Sequence, residues 1–348
     1  MSDRRRCLFA IAAEDRFAPM TDIEGLPAEF GPVRSIAADG LVALVSVYRG
    51  PAIEEVPQSD LEGRLFLHQS VIERLMHAGR LLPVRLGTIL DDDETVISFL
   101  RGSGELLRST LETHLETVEI DVAATWEIGE VLAQIADDPE IAAARIAAPA
   151  APSEARSEAM IAVGKMVEAK LHERRGALTR TVLERLGPHA VDVQLNAVVS
   201  EGLVCNIALL VDRNRAADID KSLNQLDVEL DGRYDFRRIG PLPPYSFATI
   251  HVHRIGHEEI DKAVVVLELA DHFDETSILE RYRVLALTRH PDVRTADPHA
   301  ARDFEELMWA RNTLLTLGRN RPDICTVPYS AVLYATVERS IGEDRHVR

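Results

Sequence analysis

The sequence predicts an α+β fold, with two ferredoxin-like or related α/β-layer domains followed by a small helical module. Its 348 residues exceed the ~100 to 200 residues of a typical single domain. Short apolar runs with strand character alternate with helical periodicity up to about residue 257. Residues 260–317 then show purely helical signals. This order of signals indicates two layered domains and an appended helical module.

Composition and charge argue against several classes of function. The sequence has 39 Lys and Arg against 57 Asp and Glu, which gives a net charge of −18. Nucleic-acid binding and membrane-surface binding are disfavoured, because both need clustered basic groups. No uncharged apolar run reaches the ~18 residues of a transmembrane helix. The widely spaced Cys7, Cys205 and Cys325 indicate neither disulfides nor a zinc site, so we expect a cytoplasmic protein.

The N-terminal domain, residues 1–125, is predicted to combine a mainly antiparallel sheet with two helices. The predicted strands are Cys7–Ala13, Val33–Ala37, Leu41–Tyr48, Leu81–Thr88 and, as a possible fifth, Val118–Ala124. Two helices on one face of this sheet would form a ferredoxin-like layer.

The two helices of this domain have recognisable starts. Ser59 is the expected N-cap of the first helix, because Glu62 follows at the spacing of a capping box. The expected apolar stripe of that helix consists of Leu61, Leu65, His68, Ile72 and Leu75. The second helix is expected from the acidic run at 91–94 to about residue 115. We interpret this run as the start of a helix rather than a cation site.

A helical, Ala-Pro-rich linker at 126–152 is predicted to separate the first domain from a second α+β domain at 153–257. A long helix is expected over 153–186, where Gly187 and Pro188 stop it. Alternating apolar residues at 191–199 and their return at 203–211 predict a hairpin. A further helix should follow, with an apolar stripe of Ile219, Leu223, Leu226 and Leu230.

Motifs for catalysis are scarce. The sequence has no GxSxG, P-loop or HExxH pattern, which predicts no enzyme, no catalytic residues and no cofactor. His251, His253 and His257 form one metal-like cluster, since alternate residues of a strand share a face. No carboxylate or thiol stands at a matching spacing, so we interpret them as an exposed strand end. A hydrolase without a familiar motif is the weakest alternative function.

Two short segments carry a family resemblance. Residues 81–88 read LLPVRLGT and residues 240–247 read GPLPPYSF. Together they resemble the GvpF/GvpL family of gas vesicle accessory proteins, over about residues 5–253. The family usually has phenylalanine at the position of Leu86 and tryptophan at the position of Leu242. Both replacements keep an apolar group.

This resemblance implies a non-enzymatic gas vesicle assembly factor. Such a protein would bind the small apolar shell protein GvpA and other Gvp accessory proteins during nucleation or growth of the vesicle. Arg85, Tyr245 and Phe247, all within the two segments, are the predicted partner-binding residues. Arg85 is either paired with a core carboxylate or displayed at an interface. Tyr245 and Phe247 either support the core or contact a partner.

The helical module, residues 258–318, carries a second resemblance. His290, Pro291 and Asp292 stand between two amphipathic stretches, which looks like a J domain. In that family the tripeptide engages a DnaK-type chaperone and stimulates its ATPase. A J-domain co-chaperone whose α+β region selects the client is therefore the alternative function. Arg311 stands where the family often has an aromatic residue, which favours a packing or docking module over a working co-chaperone.

Residues 319–348 are predicted to form a strand at 331–337 and a C-terminal tail.

Overall fold

The computed structural model describes residues 5–18, 23, 26–150, 152–270, 272–295, 297–320 and 332–339. The chain divides into two units, one formed by 1–113 and 249–337 and the other by 114–248 and 338–348. Each unit therefore contains segments that are distant in sequence. The sequence predicted five consecutive segments, whereas each of the two units combines segments from separate parts of the chain. Cys325 lies outside the described residues.

The strands and helices follow one another in the mixed order that the sequence predicts. The strands are β1 Arg6–Phe17, β2 Phe30–Ala38, β3 Leu41–Tyr48, β4 Gly79–Pro83, β5 Ile89–Leu90, β6 Thr117–Thr125, β7 Asp192–Leu195, β8 Leu203–Asp212, β9 Asp235–Leu242, β10 Thr249–Ile255 and β11 Val332–Glu338. The helices are α1 Gln58–Leu75, α2 Asp93–Gly102, α3 Gly104–Thr113, α4 Ile128–Ala136, α5 Pro139–Ala150, α6 Arg156–Leu186, α7 Ala216–Glu229, α8 His257–Val266, α9 Glu275–Arg289 and α10 Ala300–Asn320.

The sheet of the first unit has the strand order β2-β3-β1-β4, with β5 paired to β1. Each of these pairings is antiparallel. The predicted strand at 81–88 is shorter than expected, because β4 ends at Pro83. Beyond it, Val84 forms an isolated parallel bridge with Ile250.

Helices cover both faces of this sheet, and the prediction of two helices on one face is wrong. Neighbouring residues of a strand point to opposite faces. Cys7 lies beneath α1, whereas Arg6 and Arg34 bind Asp93 at the start of α2. Strand β1 is buried without interruption from Cys7 to Ala12, which is the pattern of a strand covered on both faces. The physical reason is that a strand apolar at consecutive positions needs cover on both sides.

The helix boundaries correct the predicted starts in part. Helix α1 begins at Gln58 with Pro57 at the N-cap position, so Ser59 lies inside the first turn and is not the cap. The acidic run does start a helix, because the Asp92 carboxylate accepts a hydrogen bond from the Thr95 backbone N–H at 2.9 Å. The predicted second helix is split at Ser103 into α2 and α3.

The C-terminal part of the first unit consists of α8, α9, α10 and the paired strands β10 and β11. It confirms the predicted helical region and the last strand. Its apolar core is formed by Ile255, Ile260, Ala263, Leu267, Phe273, Ile278, Leu285, Leu307, Ala310, Leu314, Leu317 and Val332.

The second unit contains a sheet of order β7-β8-β6-β9, with antiparallel pairs throughout. The predicted hairpin is confirmed as β7 and β8, although β7 is shorter than expected. Strand β6 was predicted as a possible fifth strand of the first sheet, and this is wrong because it pairs with β8 and β9. Its apolar pattern defines a strand but not the partner, and that partner lies some eighty residues away in sequence.

Candidate functional site

Arg85 lies just beyond the end of β4, on the surface of the first unit. Its side chain is exposed, and its Nη1 donates to Nδ1 of His251 at 3.2 Å. The backbone N–H of Arg85 donates to the carbonyl of Ile250 at 2.9 Å. Of the two alternatives for Arg85, the structure therefore favours display at the surface over a buried ion pair.

Arg85 lines an open cleft of about 520 Å³. The polar side chains around it come from Glu54, Arg85, Thr88, Asp91, Thr95 and Arg254. Arg254 already pairs with Asp91 at 3.0 Å. Acidic and basic groups therefore share the lining, which suits a polar or charged segment of a partner better than an apolar one.

The GPLPPYSF segment lies in the second unit, where β9 ends and a tight turn follows. Gly240 has φ +125°, and a Cβ at this position would lie 2.8 Å from the Glu119 carbonyl. Only glycine fits there without strain, which explains the first residue of the motif. Phe247 is 4% exposed and packs against Ala208 and Leu210. Tyr245 is half-buried, so of the two aromatic residues it has the larger accessible surface.

A buried carboxyl group fixes this segment to the sheet. The Ser246 backbone N–H and hydroxyl donate to the two carboxyl oxygens of Glu119, at 2.7 Å and 2.8 Å. Burial, and after it the nearby charge of Asp121, raise the pKa of Glu119 to about 8, although the hydrogen bonds from Ser246 act in the opposite direction. Glu119 thus keeps its proton at neutral pH.

Asp121 is the second carboxyl group whose charge acts on Glu119. Burial raises the pKa of Asp121, whereas its hydrogen bond with Glu119 lowers that pKa. Burial thus moves the pKa values of both neighbouring carboxyl groups upward, and the two groups titrate as a pair. The sequence analysis missed this pair. Two acidic residues at alternate positions of an otherwise apolar strand were the available signal.

The His-Pro-Asp tripeptide follows α9 directly and precedes α10. The His290 backbone N–H donates to the Ala286 carbonyl at 3.1 Å, and its ring contacts Phe304 edge-on at 4.8 Å. Asp292 is exposed. His290 therefore has a packing contact, which the sequence did not indicate.

The core of the helical module contains the residues expected from its periodicity. Leu285 is buried in that core and Phe304 packs against it. Arg311, which stands where the J-domain family often has an aromatic residue, lies over the ring of Tyr282 at 4.4 Å. Arg311 thus makes a cation–π contact within the module.

The three histidines of the metal-like cluster have different surroundings. His251 accepts from Arg85, His253 contacts the Thr336 hydroxyl at 2.8 Å, and His257 begins α8. Among the residues that the structure describes, no group of three or more His, Cys, Asp or Glu is arranged to hold a metal ion. Within the same part of the chain, no helix combines the length and apolarity needed to cross a membrane.

Both motif segments fall within one family match. The model of the gas vesicle synthesis protein GvpL/GvpF family matches residues 6–249. The chain belongs to this family. The family is one of accessory gas vesicle proteins, so the resemblance inferred from the two motifs is confirmed. The match ends before the helical module, whose likeness to a J domain stays a prediction.

Individual GvpF proteins show the same relationship. Gas vesicle protein F of Streptomyces sp. (strain CB03234) is 31% identical over 220 residues, which is 62% of this chain and 87% of that protein. Gas vesicle protein F of Nostoc sp. (strain PCC 7120 / SAG 25.82 / UTEX 2576) is 26% identical over 191 residues, 53% of this chain and 77% of the relative.

Crystal structures confirm the fold class. GvpF from Anabaena sp. PCC7120 is similar with a TM-score of 0.58 and 23% identity, covering 70% of this chain and 97% of that one. GvpF from Microcystis aeruginosa gives a TM-score of 0.54 at 21% identity, with 70% of this chain and 98% of that one covered. The predicted α+β class is thus confirmed.

Proposed function

We propose that this protein is a non-enzymatic assembly factor that binds the small apolar shell protein GvpA and other Gvp accessory proteins while the vesicle nucleates or grows. The GvpL/GvpF match over residues 6–249 is the observation that carries this proposal. A subunit destined for an apolar wall exposes apolar surface before it polymerises, and such surface aggregates in water unless it is covered. The chain would act in the cytoplasm and at the gas vesicle.

The position of Arg85 supports a role in partner binding. The residue belongs to the LLPVRLGT segment, is exposed, and lines a cleft large enough for several side chains of a partner. Arginine is enriched at interfaces because its planar guanidinium offers several donors in a fixed geometry. Tyr245 is the second candidate contact. Phe247 is buried, so we expect it to act on binding by supporting Tyr245.

Arg85→Ala is expected to weaken retention of the shell protein at least about fivefold while leaving the melting temperature unchanged. An exposed side chain with one hydrogen bond contributes little to stability. The test is co-purification of shell protein with the full chain, using Arg180→Ala, an exposed arginine on α6, as the control. Equal retention of shell protein by both variants would show that Arg85 is not part of the binding surface.

The full chain is needed in this experiment. Residues 249–337 belong to the same unit as residues 1–113, so a truncation after residue 257 would remove α8, α9, α10 and β11 from that unit. Loss of binding by such a fragment would not separate a missing contact from a damaged fold. Point variants avoid this ambiguity.

The co-chaperone alternative depends on the placement of His290, Pro291 and Asp292 between α9 and α10. If the module stimulates a DnaK-type chaperone, His290→Gln should abolish stimulation of its ATPase. The contact of His290 with Phe304 means that the melting temperature must be measured alongside. Phe304→Leu serves as the packing control, because it perturbs the same contact and keeps the tripeptide. We expect that the wild-type chain does not stimulate the ATPase. Stimulation by the wild-type chain that is lost in His290→Gln but kept in Phe304→Leu would contradict this expectation.

A further inference from the structure

Within the part of the chain that the structure describes, one edge of β10 has no strand partner beyond Ile250. Strand β11 pairs with β10 along the other edge, and Val84 meets Ile250 in an isolated parallel bridge. Consecutive residues of a strand direct their main-chain N–H and C=O groups to opposite edges, so Val252 directs its groups to the same edge as Ile250. Among the described residues, no main-chain hydrogen bond joins Val252 to the chain that follows Val84. The N–H and C=O of Val252 therefore face an open edge.

A tight turn after Arg85 explains why the pairing stops. In a continued parallel ladder, the Arg85 carbonyl would accept a hydrogen bond from the Val252 N–H. That carbonyl instead accepts from the Thr88 backbone N–H at 3.3 Å and from the Thr88 hydroxyl at 2.8 Å. Gly87 has φ +84°, and a Cβ there would lie 2.5 Å from Ile53, so the turn requires glycine. The chain thus turns away from β10 and leaves its edge open.

The cleft beside Arg85 borders this open edge. It measures about 520 Å³, and Val252 and Arg254 line it together with Leu86 and Ile89. An extended chain that pairs with β10 would direct alternate side chains into the cleft. Because charged and apolar side chains share the lining, the best-suited occupant is an extended segment that carries charged side chains among apolar ones.

The charges in the cleft indicate which side chains the occupant carries. Arg254 and Asp91 pair with each other at 3.0 Å, so neither calls for a charge from outside. Arg85 uses one of its five N–H donors on His251. Among the described residues, no ion pair joins Arg85 or Glu54 to an opposite charge. A carboxylate of the occupant would accept two hydrogen bonds from the Arg85 guanidinium, and a basic side chain would neutralise Glu54.

We propose that an extended, charged segment of the shell protein adds as a strand to the open edge of β10, pairs with the main chain of Val252 and places a carboxylate on Arg85. The inference rests on the proposed function and deepens it by naming the site and the mode of binding. Strand addition supplies affinity through main-chain hydrogen bonds and selects its partner through alternate side chains. A charged segment is costly to bury in an apolar wall, so it stays available for binding while the apolar surface of the shell protein polymerises.

Val252→Pro tests the main-chain hydrogen bonds. Proline lacks the N–H that would donate to the added strand, and it is tolerated at a strand edge where that N–H has no partner. Val252→Ala is the matched comparison, because it shortens the same side chain and keeps the N–H. The readout is the dissociation constant of each full-length variant for purified shell protein, with melting temperature as the check on folding. We expect at least about a tenfold loss of affinity for Val252→Pro and less than about threefold for Val252→Ala.

Charge reversal tests the carboxylate. Arg85→Glu should weaken binding more than Arg85→Ala does, because it adds repulsion to the loss of the guanidinium. The difference between these two variants should shrink at high salt. Arg180→Glu, at an exposed position of α6, is the control for the change in net charge. Equal affinities of Arg85→Glu and Arg85→Ala would overturn the assignment of a carboxylate to this position.

Amide hydrogen exchange is an independent readout in the unmodified chain, and it decides the question if Val252→Pro does not fold. We expect fast exchange of the Val252 N–H in the free chain and at least about tenfold slower exchange with purified shell protein bound. Slow exchange in the free chain would show that Val252 already pairs within the chain, which would overturn this inference. Unchanged exchange on binding, or equal dissociation constants for Val252→Pro and Val252→Ala, would also overturn it and leave the proposed function in place. Failure of the unmodified chain to bind shell protein would instead overturn the proposed function.

Discussion

Phe247→Ala is expected to lower the free energy of unfolding by about 3 to 5 kcal/mol, the usual cost of truncating a buried phenylalanine. The ring is 4% exposed and packs against Ala208 and Leu210, and the guanidinium of Arg339 lies 5.9 Å from its centre. Truncation leaves a cavity that these neighbours fill only partly. Denaturant unfolding measures the loss, and vesicle yield should fall in parallel.

Tyr245→Ala is the matched comparison for Phe247→Ala. Tyr245 is half-buried, so its truncation should cost less stability than that of Phe247. A loss of vesicle yield in Tyr245→Ala without a matching loss of stability would identify a contact surface. A loss of yield in Phe247→Ala with unchanged unfolding free energy would contradict the expected supporting role of Phe247.

Glu119→Gln is expected to change how stability depends on pH. The pKa of Glu119 is about 8 in the folded chain, above its ordinary value of 4.5. At a pH between these two pKa values, Glu119 keeps its proton in the folded chain and has lost it in the unfolded chain. The free energy of unfolding therefore falls as pH rises, by up to about 1.4 kcal/mol per pH unit from this group, and the contribution levels off above pH 8.

The glutamine variant should lose this contribution. Its amide oxygen can accept from the Ser246 backbone N–H, and its amide nitrogen, which only donates, can donate to the Ser246 hydroxyl oxygen once that hydroxyl rotates. The stability of Glu119→Gln relative to wild type should thus increase by a few kcal/mol from pH 5 to pH 8. Denaturant unfolding at several pH values measures this difference, with exposed Glu62→Gln as the control. Parallel pH profiles for wild type and Glu119→Gln would contradict the raised pKa of Glu119.

Much of the local structure could be predicted because its causes are local. The alternation of apolar and polar residues defined the hairpin that became β7 and β8. The acidic run defined the start of α2, where Asp92 caps the helix. The segments at 81–88 and 240–247 together indicated the family, which the match over 6–249 confirmed. None of these features depends on which distant segment of the chain packs against the element concerned.

The errors arose where a distant segment decides the outcome. Strand β6 reads as a strand but pairs with β8 of the second sheet. The spacing of Leu61 and Leu65 predicts burial, but neither is fully buried. The local sequence pattern determines whether a segment forms a helix or a strand. Which strand it pairs with, and which of its side chains become buried, depend on the segments that tertiary packing places beside it.

The sequence by itself determined the α+β class, the family and the segments that carry its motifs. Only the tertiary structure decided that Arg85 is exposed, that the pKa of Glu119 is raised, and that Phe247 is buried more deeply than Tyr245. The physical reason is that exposure and pKa are set by all the groups around a side chain. Those groups come from residues far apart in the sequence, and only folding brings them together.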